Sequence, residues 1–264
     1  MTLMVSSQPI SKRCWQLPAI AALFFSVCLP QTLYAFDFSE WDSILKKNTL
    51  LSNHAGIGFT GMDYAAILNS REFDRLVASL ESFSPEELRG REETLAFWIN
   101  VYNIFAVKIV REHFPVTSIK DAGSILSPVW SAPAGKVGGK MYTLNNIEHE
   151  ILRPMNEPAI HFAIVCASVS CPDMRPEAYT APMLKDQMKS QISRFLDNRE
   201  KGMRIDREKK TVQLSMIFHW YEKDFTGAGG IIGFLNSEPG GNRNIPKDYK
   251  IKYLSYNWDL NAAR

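Results

Sequence analysis

The chain has 264 residues, 45% of them hydrophobic and 22% charged, with a formal net charge of +2. That balance excludes a disordered polar chain and a strongly basic, polyanion-binding protein, so nucleic acid is not an expected partner. One globular domain is expected.

Lys12 and Arg13 precede the apolar run Leu17 to Leu29, "LPAIAALFFSVCL", which is followed by "PQTLYA" ending at Ala35. Charged, apolar and small-residue segments in that order predict a secretory signal peptide, and the run is short for a membrane span. Cleavage after Ala35 is expected. It would leave residues 36–264 as one domain in the periplasm or outside the cell, free of the membrane; an uncleaved anchor is the alternative. Cys14 and Cys28 would leave with the signal. Cys166 and Cys171 would then sit in an oxidising compartment, where an even count points to a disulfide.

Along the remaining chain, "FSEWDSILKKNTLLSN" and "MDYAAILNSREFDRLVASLESF" each predict an amphipathic helix, the second with Phe73, Leu76, Val77 and Leu80 at helical spacing. Ser84-Pro85-Glu86-Glu87 supplies a cap, a first-position proline and an acid for a short helix. From Thr94 to Phe114, "TLAFWINVYNIFAVKIVREHF" is apolar on almost every face, which predicts a helix buried in the middle of the protein. Asn100 and Asn103 share a face of it. A buried amide without a partner costs about 1–3 kcal/mol. These two side chains therefore either tie the helix to a neighbouring loop or line a polar cleft, where they would orient a substrate or an imidazole.

Pro115 ends that helix, and "GKVGGKMYTL" predicts a hairpin turning at Gly138-Gly139. Asn145 to Glu148 has capping-box spacing, which would direct Glu148 back to the cap. His149 follows, one turn before Arg153, either solvated or in a cleft. "IHFAIVCAS", Ile160 to Ser168, is nearly continuous apolar sequence and predicts an interior strand. On such a strand His161 and Cys166, an odd number apart, face opposite ways, which opposes a local nucleophile and base pair. A helix over about Met183 to Asn198 is expected next. After it come a hairpin of "GMRID" and "TVQLS", short helices at "MIFHWYEKDF" and "GGIIGFLNSE", and a final strand in "YKIKYLSYNWDLN". The whole predicts an α+β domain, mainly antiparallel sheet packed with helices around the buried central helix. With no H-E-x-x-H, C-x-x-C or Gly-rich phosphate loop, neither a metal nor a cofactor is expected.

"LAFWINVYN", "LNNIEHEILRP", "IHFAIVCASVSCPDMRP", "LSMIFHWYEKDF" and "YLSYNWDLN" together resemble the domain-of-unknown-function family 547, over about Asp63 to Asn261. The resemblance singles out Trp98, Asn100, Tyr102 and Asn103, then Glu148 and His149, then His161, Cys166 and Cys171, then Trp220, Tyr221 and Phe225. It assigns no activity. The order of buried helix, hairpin and histidine-led strand is also similar to papain-like and transglutaminase-like folds, although Asn100 and Asn103 stand where those folds carry a helix cysteine.

Three functions follow as expectations. One is a cysteine-dependent hydrolase or acyltransferase for amide or thioester bonds, with Cys166 as nucleophile and His149 or His161 as base. In that reading Asn100, Asn103, Tyr102, Glu148 and Ser168 bind substrate, and the amides of "ASVS" hold an oxyanion. The second is a binding protein for a peptide or a low-molecular-weight thiol such as glutathione. The third is a structural domain stapled by a Cys166–Cys171 disulfide.

Overall fold

The computed structural model describes residues 36–124, 128–238 and 243–263. The expected signal peptide lies outside the described residues. The first helix, α1 (Ser39–Asn48), buries Trp41, Ile44 and Leu45, and its apolar stripe stops there. Leu50 and Leu51 are exposed, and the chain turns into β1 (Thr49–His54). It pairs antiparallel with β2 (Ile57–Met62). The sequence predicted helix across β1.

The second expected helix is two. Asp63 caps α2 (Tyr64–Ile67) by accepting from the Ala66 amide, and Ser70 caps α3 (Arg71–Ser82) by accepting from the Phe73 amide. Each cap satisfies an amide that has no partner inside the helix, so two such residues seven apart divide the segment.

The buried helix, α4 (Gly90–His113), is as predicted: every residue from 95 to 107 is buried. The expected hairpin forms from β3 (Gly135–Val137) and β4 (Lys140–Tyr142), turning at Gly138 and Gly139 with positive φ. Beyond it, α5 (Leu184–Asp197) buries Leu184, Met188, Ile192, Phe195 and Leu196 as one stripe. The hairpin of β5 (Met203–Asp206) and β6 (Thr211–Leu214) is followed by α6 (Ile217–Trp220) and α7 (Gly230–Ser237). The last strand, β7 (Lys250–Tyr253), pairs parallel to β6, with Val212 opposite Ile251. The protein is thus an α+β domain, with small, mainly antiparallel sheets and helices around one buried helix.

Two further expectations fail. Ile160 to Ser168 is not a strand: a 3₁₀ turn covers Pro158–Phe162, and an irregular segment follows. Its apolar run reflects burial on all sides rather than strand periodicity, a distinction that composition cannot make. Its backbone is satisfied by a side chain, because Asn103 donates to the Ala163 carbonyl (3.0 Å) and accepts from the Val165 amide (2.8 Å). The papain-like element order therefore loses its histidine-led strand. The other failure is the capping box at Asn145, where no side-chain cap bond forms and residues 146–152 adopt a π-helix.

After β7 the chain continues as an extended tail against the segment that follows Cys166. Ala167 accepts from the Asn261 amide (3.0 Å), and the Val169 and Ser170 amides donate to the Asp259 and Asn257 carbonyls. This pairing brings the aromatic residues of the tail beside the two cysteines.

Candidate functional site

A cleft of about 490 Å³ opens where the π-helix, the Ile160 to Cys171 segment, α6 and the tail converge. The sequence-predicted residues Tyr102, Glu148, His149, His161, Cys166 and Cys171 all line it. The strand-parity objection to His161 and Cys166 therefore falls away, since neither lies on a strand. π-Helical turns are rare and recur at functional sites. Here the wider turn puts Glu148 inward and His149 at the mouth.

His161 is 2% exposed. Its Nε2 lies 2.7 Å from Asp224 Oδ2, and its ring stacks on Tyr221 with centroids 4.0 Å apart. Asp224 also accepts two bonds from Arg153, Nε and Nη2, each at 2.7 Å. Burial alone would raise the Asp224 carboxyl. The hydrogen bonds from Arg153 and His161 outweigh it and hold the group well below the usual carboxylate range. An ionised Asp224 accepts a hydrogen bond from His161 Nε2–H, which leaves Nδ1 of the neutral ring as the acceptor. That Nδ1 is buried and has no hydrogen-bond partner among the described residues.

Glu148 is the second group with open valence. It is 4% exposed; Oε2 accepts from the Tyr102 hydroxyl at 3.4 Å, while Oε1 is buried without a hydrogen-bond partner. Burial, reinforced by the charge of Glu148, keeps Tyr102 and Tyr221 protonated far above the usual phenol range. At the mouth His149 accepts at Nδ1 from Arg153 Nη1 at 2.9 Å, because a guanidinium only donates. Its proton is then on Nε2.

The sulfurs of Cys166 and Cys171 meet at disulfide distance, with Cα atoms 6.3 Å apart. The pair sits in the cleft wall, so in this state Cys166 has no thiol with which to attack. Tyr256 Oη lies 3.3 Å from Cys171 Sγ and 3.4 Å from Cys166 Sγ, and accepts from Ser168 Oγ at 3.0 Å. Ser168 thus touches the disulfide from behind the wall. The Val169 and Ser170 amides, expected to hold an oxyanion, are already bound to the tail. Ala167, beside Cys166, has φ 58°, a left-handed conformation that costs an alanine about 1–2 kcal/mol and marks this turn as held by its surroundings.

Asn100 and Asn103 are not part of the cleft. Asn100 donates to the Tyr179 carbonyl (2.8 Å) and accepts from its amide (3.0 Å), as Asn103 does for Ala163 and Val165. Both amide groups are spent on backbone, and the helix-to-loop alternative is the one realised. The family resemblance had singled out Trp220, but sequence reasoning missed Asp224, Arg153 as its partner, and Tyr256 and Trp258, which complete an aromatic wall with Trp220. Those rings are packed at 4.5–5.5 Å between centroids, and Lys120 Nζ lies 3.6 Å from the Trp258 ring centre. The sequence signal for Asp224, Tyr256 and Trp258 was their place in two quoted motifs, "LSMIFHWYEKDF" and "YLSYNWDLN".

Among the described residues no group of three or more His, Cys, Asp or Glu is arranged to hold a metal. No curated protein and no solved structure matches the chain. A family match exists for the stretch that carries α4, the π-helix, His161, both cysteines and α5, and leaves out Asp224, Tyr256 and Trp258. Residues 85–196 match the model of the family described as protein of unknown function, DUF547.

Proposed function

We propose that this chain is an exported hydrolase or acyltransferase for amide or thioester bonds, with Cys166 as nucleophile once its bond to Cys171 is open. The observation that carries the reading is His161, a residue that lines the same cleft as Cys166: its Nε2 is fixed on Asp224, and its Nδ1 is buried without a partner among the described residues. A carboxylate behind an imidazole fixes the tautomer and stabilises the imidazolium that proton transfer creates. In the open state the Cys166 thiol gives its proton to His161 Nδ1, and the thiolate attacks the acyl carbon. His161 returns the proton to the leaving amine or thiol, and water or a second acceptor then releases the acyl group. The Tyr256 hydroxyl, within 3.4 Å of Cys166 Sγ, is a donor placed near the developing oxyanion.

The test compares oxidised protein with protein reduced by a phosphine, on a panel of thioesters and activated amides. Turnover is expected only after reduction. Cys166→Ala abolishes it, and His161→Gln lowers kcat by about 10²-fold or more. A reduced protein that turns over nothing, or a Cys166→Ala variant as active as the parent, refutes the reading. A second reading, a non-catalytic site for a peptide or low-molecular-weight thiol, is favoured by the aromatic wall and by Lys120 beside it. Stoichiometric capture of a ligand without turnover would select it.

A further inference from the structure

The two sulfurs of the cleft are not equivalent. Both line the cleft, but Cys171 is buried, 3% exposed, whereas Cys166 is partly exposed. The Cys166 backbone amide donates to Cys171 Sγ at 3.0 Å, and the Tyr256 hydroxyl reaches the same atom at 3.3 Å. Among the described residues Cys166 Sγ has no backbone donor of its own; it shares the Tyr256 hydroxyl and lies 3.4 Å from Ser168 Oγ. Donors fixed on one sulfur stabilise a negative charge there, and the better-stabilised thiolate is the one that leaves in exchange.

Other features of the cleft indicate what enters it. Glu148 Oε1 is a buried acceptor without a partner among the described residues and calls for a hydrogen-bond donor, a role that the amine of an amino acid can fill. Lys120 is exposed over Trp258 and makes no ion pair among the described residues, so it can receive a carboxylate. The volume suits a molecule of amino-acid to short-peptide size.

We infer that the cleft performs thiol–disulfide exchange with an amino-acid or short-peptide thiol: the incoming thiolate attacks Cys166 Sγ, and Cys171 is the leaving sulfur. In the first step a bond forms between the incoming sulfur and Cys166 Sγ, the Cys166–Cys171 bond breaks, and its electron pair stays on Cys171 as thiolate. A second thiolate then attacks the small thiol's sulfur in the mixed disulfide. It releases the Cys166 thiolate and carries away the symmetric disulfide of the small thiol. Two thiols are oxidised and the protein disulfide is reduced. This inference deepens the reading above only in naming what opens the nucleophile, and it needs no acyl chemistry.

The experiment treats oxidised, folded protein with cysteine, 3-mercaptopropionate or cysteamine. Each reaction is quenched with iodoacetamide during the first step and mapped by peptide mass spectrometry. The expected product carries the small thiol on Cys166 and the alkyl group on Cys171. Per thiolate, cysteine reacts faster than 3-mercaptopropionate, which lacks the amine, and faster than cysteamine, which lacks the carboxylate. Lys120→Ala slows the two carboxylates several-fold and leaves cysteamine unchanged. Tyr256→Phe, which keeps the ring, slows the first step about fivefold. Adducts on Cys171, adducts on both sulfurs equally, opening only in denaturant, or a Lys120→Ala variant with unchanged thiol preference each overturn it. If the adduct maps to Cys166 with the expected preference but phosphine-reduced protein hydrolyses nothing, the exchange stands and the acyl-transfer reading falls. Acyl turnover by phosphine-reduced protein without selective exchange gives the reverse.

Discussion

Asp224 is where three otherwise separate side chains are tied together: its two oxygens take two bonds from Arg153 and one from His161. Replacing it with Asn presents an amide N–H to a guanidinium that only donates, and it removes the charge that fixes the His161 tautomer. Asp224→Asn is expected to cost about 2–3 kcal/mol. Its pH signature is specific. The folded-state carboxyl lies below its ordinary value of 3.8, so its stabilising contribution is fully present above about pH 4 and is lost as pH falls toward the folded value. The wild type should therefore lose stability between about pH 5 and 2 more steeply than Asp224→Asn, as read by urea denaturation across that range. Equal slopes would mean that Asp224 is not held in its ionised form by these partners. Nothing in the sequence marked this residue apart from its neighbours. It lies 63 positions from His161, and only the packing of the turn after α6 on the Ile160 segment makes them partners.

At the scale of elements, α4, α5 and the two hairpins at Gly138 and between β5 and β6 were legible, because each is specified by its own residues. All-round burial, a helical stripe, paired glycines and a charged turn are local signals. The Ile160 to Ser168 segment was not legible, because its conformation is imposed by a side chain on another element. Asn103 occupies the hydrogen-bonding positions that a neighbouring strand would have used. The π-helix was hidden for a related reason: the capping-box pattern at Asn145 is real, but Glu148 is drawn inward to Tyr102 instead. Asn100 and Asn103 allow the two consequences to be separated. Asn100→Leu and Asn103→Leu should each strand one buried carbonyl and one buried amide and cost about 2–4 kcal/mol in chemical denaturation. The Asn103 variant should also disturb thiol exchange at Cys166, since its anchor lies between His161 and Cys166. The Asn100 variant, whose anchor is Tyr179, should leave exchange per folded molecule unchanged. Equal effects on exchange would mean that Asn103 does not position the cleft.

For the whole molecule, the question is whether the fold can tolerate an open disulfide, since both proposed activities require it. Cys166 and Cys171 are five positions apart, and closing so short a loop is worth roughly 2 kcal/mol in chain entropy. The loop has other restraints. Lys201 Nζ, buried, donates to the Cys171 carbonyl (2.7 Å) and pairs with Asp173 (2.7 Å), while the tail holds Val169 and Ser170. Burial lowers the Lys201 pKa, and the charge and hydrogen bond of Asp173 work against that shift. Breaking a buried pair by removing one member costs about 3–5 kcal/mol, more than the short bridge contributes. The double variant Cys166→Ser/Cys171→Ser is therefore expected to fold, with native far-ultraviolet circular dichroism and about 2 kcal/mol less stability. Lys201→Met, with both cysteines intact, should be the more damaging change. The reverse order would make the bridge the main staple of the loop, and a protein that loses its fold on reduction could not use the same disulfide to expose a nucleophile.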